Sequence, residues 1–199
     1  PLLANIVLDP LDKELERRGH HHARYADDFI ILVRSAKAAQ RVMQSVTNYV
    51  ENKLKLSVNR IKSKCGPLTQ SQFLGFQINR RGQVKWTAKA LTRFKLKIKE
   101  ITRRNRGHAV QDVIDELRRY VQGWMNYFGI SHTYAMVLEL DEWIRRRVRL
   151  YHWKQWKRPR ARRRNLIKLG IKPSEVHRAS RIRKGYWRMS SNSLVQQAL

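Results

Sequence analysis

Asp27 and Asp28, the only Asp-Asp pair in 199 residues, are the side chains best placed to do chemistry. They lie in Arg24-Tyr25-Ala26-Asp27-Asp28-Phe29-Ile30-Ile31-Leu32-Val33, at the mouth of an apolar run rich in β-branched residues. Two carboxylates opening a buried strand are costly without a counter-ion. The pattern is therefore either a solvated turn or a divalent-cation site. Hard oxygen ligands at a strand mouth suit Mg²⁺, which takes one or two protein carboxylates plus substrate phosphates. A pair of such ions can activate a hydroxyl and neutralise a departing pyrophosphate.

A second constellation is basic. From Arg145 to Arg164 the chain holds eleven basic residues and no acid: Arg145, Arg146, Arg147, Arg149, Lys154, Lys157, Arg158, Arg160, Arg162, Arg163 and Arg164. Tyr151, His152, Trp153 and Trp156 are interleaved with them. Basic charge positions a phosphate backbone while aromatic faces stack unpaired bases, so the segment reads as a nucleic-acid interface with Trp153 and Trp156 as stacking faces. Replacing Arg145, Arg146 and Arg147 is then expected to flatten the salt dependence of binding. Arg103, Arg104 and Arg106, and the stretch Arg178 to Arg188, are weaker patches of the same kind. The whole chain agrees: 43 Lys and Arg against 15 Asp and Glu give a net charge of +28, which calls for a polyanionic partner and argues against a generic metabolic enzyme.

Other features read plainly. His20-His21-His22 cannot all face one ion from a regular element, and are read as a turn before the strand. The lone Cys65 excludes an intrachain disulfide and a multi-cysteine zinc site. No apolar run approaches the ~20 residues of a membrane span, so no membrane partner is expected. The chain starts at Pro1 inside an apolar stretch and reads as a fragment or processed chain whose upstream half is missing.

The elements that must position these residues follow from periodicity. Phe29 to Val33 is a strand, Ala36 to Leu54 has helical spacing, and Phe73 to Ile78 is a second strand. That strand leads through Asn79-Arg80-Arg81-Gly82 into Gln83 to Trp86 as a hairpin. Beyond Trp86 the strand signals stop. Leu91, Phe94, Ile98 and Ile101 mark one amphipathic helix, Val110 to Phe128 a second ended by Gly129, and Val137 to Tyr151 a third, together a small bundle. Trp124, Tyr127 and Phe128 fall on its apolar face and are expected in the core. From Pro159 onward few apolar anchors are evident, and the tail is expected to be irregular until bound. The charge steps at the same place, from +8 over residues 1–85 to +20 over residues 86–199.

Tyr25-Ala26-Asp27-Asp28 before a β-branched run resembles the signature of reverse transcriptases. Pro1 to Ile6 with Leu8-Asp9-Pro10-Leu11-Asp12 resembles the helix after the Pro-Gln-Gly segment of group II intron reverse transcriptases. Leu56-Ser57-Val58-Asn59 with Lys62-Ser63-Lys64, and Phe73-Leu74-Gly75-Phe76, resemble two further elements in the correct order. Tyr120 to Gly129, Leu140 to Arg147 and Trp153 to Lys157 are similar to the maturase, or thumb, domain.

The resemblance implies an α+β fold: the C-terminal part of a polymerase palm (residues 1–86, antiparallel strands with helices), a helical thumb/maturase bundle (87–158) and a basic extension (159–199). It implies that Asp27 and Asp28 are catalytic metal ligands for Mg²⁺, with Asp27 the direct one. It places Lys62 near the incoming triphosphate, where it would stabilise or protonate pyrophosphate. Tyr25, Ala26, Phe73, Leu74, Gly75 and Phe76 would lie near primer and nucleotide. The implied partners are group II intron RNA, an RNA template with DNA primer, a DNA target and dNTPs. The implied setting is a bacterial cytoplasm or nucleoid, or an organelle. The family's third carboxylate and its fingers belong to a missing N-terminal half, so this chain alone is expected not to polymerise. The paired cysteines of the family's HNH nuclease are absent. The alternative is a non-catalytic splicing factor that binds intron RNA; the intact Asp27-Asp28 pair favours the polymerase.

Overall fold

Leu8, Leu11 and Leu15 recur at helical spacing, and their helix, α1, spans Leu2–Arg17 and buries all three. Their partners are Val46 and Val50, contributed by α2 (Ala36–Asn48) and the single π-helical turn Tyr49–Lys53 that continues it. Ser35 starts α2 by accepting a hydrogen bond from the Ala38 amide at 3.2 Å, satisfying one of the helix's orphan donors. Between α1 and α2 lies an antiparallel hairpin of β1 (His21–Tyr25) and β2 (Asp28–Leu32). Phe29 and Ile31 of β2 pack on the α1–α2 core.

A second sheet has the order β3 (Gln72–Phe73), β4 (Phe76–Ile78), β5 (Val84–Trp86), all antiparallel. Here the sequence expectation of one continuous strand from Phe73 to Ile78 is corrected. Leu74 and Gly75 both have positive φ, 52° and 83°, and Phe73 pairs directly with Phe76. Two left-handed residues in a two-residue loop make a type I′ turn, so the segment folds back on itself. The next turn is the expected one, with Gly82 at φ 75° and Asn79 Oδ1 accepting from the Arg81 and Gln83 amides.

The structure, a computed structural model, describes residues 2–103 and 105–199 and divides into two compact units, Pro1–Thr87 and Ala88–Leu199. The second unit is helical: α3 (Ala88–Ile101), α4 (Val110–Phe128) and α5 (Tyr134–Gln155). Phe94, Ile98 and Ile101 of α3 and Val113 and Leu117 of α4 are buried. The Phe94 ring meets Trp124 at a tilt (ring centroids 4.4 Å, planes 40° apart), and Trp124 in turn stacks on Phe128 at 4.5 Å. Tyr127 differs from expectation: it is 49% exposed at the edge of the apolar stripe, where its ring meets Phe128 edge-on at 4.7 Å. Gly129 ends α4 by close approach; a Cβ there would lie 2.5 Å from the Met125 carbonyl oxygen.

The tail is the larger correction. It is helical, as α6 (Pro159–Lys168), α7 (Pro173–Ser180), α8 (Tyr186–Met189) and α9 (Ser193–Ala198). Pro159 and Pro173 begin their helices, where a missing N–H costs nothing. Leu166, Ile171, Val176, Met189 and Val195 then close around Trp153, which has no exposed surface. The apolar anchors are few, but each is almost wholly buried, and a fully buried aromatic supplies the centre that the tail's own composition lacks.

Candidate carboxylate site and nucleic-acid interface

The β1–β2 hairpin pairs Tyr25 with Asp28, leaving Ala26-Asp27 as a two-residue loop. Ala26 has φ 53° while Asp27 is not left-handed, the pattern of a type II′ turn whose first loop position normally holds Gly. Strand alternation turns Arg24 and His22 inward and Tyr25 outward, and Tyr25 is 66% exposed. Asp27 and Asp28 are both exposed, and neither makes an ion pair or side-chain hydrogen bond among the described residues. In a chain of +28 this leaves two adjacent carboxylates without a protein counter-ion. Such a pair fits a hard divalent cation completed by phosphate oxygens and water. No group of three or more His, Cys, Asp or Glu gathers to hold a metal among the described residues, so the pair is at most part of a ligand set.

Arg24 lies directly beneath this tip. Its Nε donates to Asp12 Oδ1 and Oδ2 at 2.8 and 3.0 Å, its Nη2 donates to Asp12, and its Nη1 donates to Asn5 Oδ1 and to the Ala26 carbonyl, both at 2.9 Å. The hydrogen bond to Asp12 holds the guanidinium above its ordinary pKa. His22 Nε2 stands 3.9 Å from the same carboxylate. The sequence alone gives Arg24, Asp12 and Asn5 no role; the signal for Arg24 is a charged residue facing inward three places before the pair.

The remaining palm-side candidates are positioned less tightly. Lys62 is exposed on a turn held by Asn59, whose Oδ1 accepts from the Ile61 and Lys62 amides at 3.2 and 3.1 Å. No ion pair ties its ammonium to Asp27 or Asp28 among the described residues. Phe73, Leu74, Gly75 and Phe76 are half-buried in their turn, and β3 runs close to β2. The Gly75 carbonyl accepts from the Thr87 amide at 2.9 Å.

The basic segment divides into two populations. Several of its arginines are internal ties. Arg149 is buried and donates from Nε to the Ser190 carbonyl at 2.9 Å; burial, then Arg145 and Arg146, lower its pKa. Arg146 lies 3.8 Å over the Trp187 ring and donates to the Trp187 carbonyl. Arg147 donates to Thr102 Oγ1 at 2.7 Å and to the Lys99 carbonyl at 3.2 Å, joining α5 to the end of α3. Arg162 donates to the Trp156 carbonyl and lies 4.8 Å from the Trp153 ring centroid, its pKa lowered by burial. Arg106 pairs with Glu116 at 2.8 Å, and Arg145 with Asp141 at 2.7 Å.

These contacts correct the sequence expectation at particular residues. Trp153 is enclosed by the tail helices and cannot stack on a base, and Trp156 is packed against the same cluster. Arg149 is committed to the protein interior. The solvent-facing population is Arg103, Lys157, Arg158, Arg160, Arg163 and Arg164, together with Arg145 in its surface pair with Asp141, and with Lys154 half-buried beside Tyr186. Arg104 lies outside the described residues.

Two basic clefts lie within the second unit. One, of about 640 Å³, is lined by Arg103, Asn105, Gly107, His108, Tyr151, Lys154, Gln155 and Lys157. Its wall is fixed because the Tyr151 hydroxyl and Gln155 Nε2 both donate to the His108 carbonyl, at 2.8 and 2.6 Å. The other, of about 550 Å³, is lined by Arg162, Arg181, Arg183, Lys184 and Tyr186 with Pro159 and Gly185. Neither lining contains an acid. Sequence reasoning saw the charge of Arg178 to Arg188 but not the cleft; nor did it connect His108 with Gln155, which only the α3–α4 loop brings together. No helix is long and apolar enough to cross a membrane among the described residues.

Comparison with protein families gives two matches in tandem. Residues 1–78 match the reverse transcriptase (RNA-dependent DNA polymerase) family, and residues 91–170 match the group II intron, maturase-specific domain. None of the curated proteins matches the chain significantly.

Proposed function

The chain belongs to the group II intron reverse transcriptase/maturase family, and from that premise we propose that Asp27 and Asp28 are carboxylate ligands for Mg²⁺ in RNA-directed DNA synthesis. The observation that carries this reading is the exposed, un-neutralised pair at the hairpin tip. Divalent ions held there supply activation of the primer 3′-hydroxyl and neutralisation of the leaving pyrophosphate. The protein's own residues do the positioning. Asp27, in the loop, is the direct ligand; Tyr25 and Ala26 flank the primer end. Lys62 approaches the triphosphate from its exposed turn, and the Phe73–Phe76 turn supports the primer.

The second unit grips group II intron RNA, and the template–primer duplex and DNA target, through its solvent-facing arginines and clefts. With two carboxylates and no third, these 199 residues by themselves bind nucleic acid and do not extend a primer, because two-metal transfer needs both ions held in register.

The test uses the 199-residue chain with an RNA template and DNA primer. Mn²⁺ should broaden the amide NMR signals of Ala26 to Asp28 selectively, and Asp27→Asn should abolish that broadening with RNA affinity within about twofold of the parent. Broadening that survives Asp27→Asn overturns the metal assignment. Extension of the primer by this chain with Mg²⁺ and dNTPs overturns its inactivity in isolation.

A further inference from the structure

We propose that Arg24 is a positioning residue for the carboxylate pair: it locks the left-handed Ala26 turn to helix α1, so that Asp27 and Asp28 are presented in one fixed geometry. The inference rests on the reading of Asp27 as a metal ligand and adds how that ligand is held.

The turn needs holding. A two-residue type II′ loop demands positive φ at its first position, and Ala26 supplies it at 53° where Gly would do so without steric penalty. A strained residue persists only where its surroundings over-determine it. Here the surroundings are the β1–β2 ladder that the turn closes and one guanidinium that ties the turn to α1. Arg24 Nε and Nη2 clasp Asp12 of α1, Nη1 reaches Asn5 of α1, and the same Nη1 donates to the Ala26 carbonyl at 2.9 Å. The Arg24 side chain is only 12% exposed, so this fork is fixed and not swept through solvent.

Lysine cannot replace it. An ammonium is a point charge with three donors, whereas the planar guanidinium serves Asp12 bidentately and still reaches two further oxygens. Charge also matters. Asp12 neutralises Arg24, and no ion pair joins Arg24 to Asp27 or Asp28 among the described residues. The arginine therefore sets the direction of the pair without acting as its counter-ion, leaving both carboxylates open to an external cation.

The experiment uses ¹⁵N-labelled full chain. In the parent the Ala26, Asp27 and Asp28 amides should have order parameters of about 0.85, falling below about 0.6 in Arg24→Lys. Mn²⁺ affinity at the tip should weaken about tenfold, equivalent to about 1.4 kcal/mol. Adding Ala26→Gly to Arg24→Lys relieves the positive-φ penalty and should restore the tip order and most of the Mn²⁺ affinity, while the melting temperature lost with the ion pair does not return.

A purely structural salt bridge predicts a lower melting temperature with tip order unchanged, and that result overturns the proposal. So does a double variant whose tip stays disordered. If Arg24→Lys does not fold, Asn5→Ala removes one neutral partner of the same Nη1; unchanged tip order there overturns the proposal as well. Absence of Asp27-dependent broadening in the parent instead defeats the metal assignment, while the order parameters still decide the role of Arg24.

Discussion

Removing the outward arginines of α6 should change how binding depends on salt, whereas removing the inward ones should change how well the unit folds. Arg160, Arg163 and Arg164 are spaced i, i+3, i+4 on α6, all exposed and in no ion pair or side-chain hydrogen bond among the described residues, while Arg162 and Leu166 take the opposite face toward Trp153. If each outward arginine neutralises one phosphate, each contributes about 0.7–0.9 to the slope of log K against log salt. Replacing all three with Ala should therefore flatten the slope by about 2–3, so the affinity lost between 50 and 200 mM salt shrinks by about 20- to 40-fold. Alanine is the better helix former, so α6 should persist. The assay is fluorescence anisotropy of a labelled intron-derived RNA at several salt concentrations, with circular dichroism as the folding check. An unchanged slope with the helix intact would refute the assignment of α6 to the interface. Arg147→Ala is the internal control: it ties α5 to Thr102 and Lys99, so it should lower the melting temperature and leave the slope within error.

The remaining expectations concern the second unit's interior. Arg149→Ala leaves the buried Ser190 carbonyl without its donor and should destabilise by about 1–3 kcal/mol in a urea titration. Trp153→Ala empties the centre of the tail cluster and should cost about 3–5 kcal/mol, with loss of helical circular dichroism; a native-like melt would mean the tail helices stand without it. His152 is held neutral by burial, its pKa below the ordinary 6.5, so the folded state binds fewer protons than the unfolded chain under mild acid. Its stability is thus intact above pH 6.5 and erodes as pH falls below that, and His152→Phe should remove this part of the pH dependence in thermal melts.

The hairpin through Gly82, the strand after the acidic pair, the three long helices and the pair itself are legible in the sequence because each is written in local pattern, whereas β1, whose His21 and His22 read as a turn, and the fold-back at Leu74-Gly75 are not. Period-two and period-3.6 apolar spacing marks the elements, and Gly82 marks a turn. The tail was misread because its helices are short and arginine-rich, and their core is completed by Trp153 from another helix; composition counts a segment's own anchors and not those lent to it. Trp153 was misread for the matching reason. An indole among arginines has the same spelling whether it stacks on a base or fills a core, and only the positions of Leu166, Val176 and Met189 decide. The basic run likewise conceals two jobs, since the helix face that separates Arg162 from Arg163 is set by where α6 packs.

Backbone geometry at the motifs was not legible at all, and it is the more telling part. The described non-glycine residues with positive φ are Ala26, Lys55 and Leu74. Two of these sit inside the segments that carry the family resemblance: the turn before Asp27 and the turn between Phe73 and Phe76. Local preference would put Gly at each, and a left-handed bulky residue costs about 1–3 kcal/mol where the fold insists on it. A chain that keeps Ala and Leu there is gaining something from the side chains. At Leu74 the half-buried side chain joins the packing around β3 and β4, so removing it would trade strain for lost contact. At Ala26 the strain is held by Arg24, which donates to the Ala26 carbonyl, and that clasp fixes the direction of the carboxylate that follows. Local sequence–structure conflict of this kind belongs at sites where position matters more than stability. The hairpin tip is therefore singled out twice, once by the carboxylates it exposes and once by the backbone it strains to expose them.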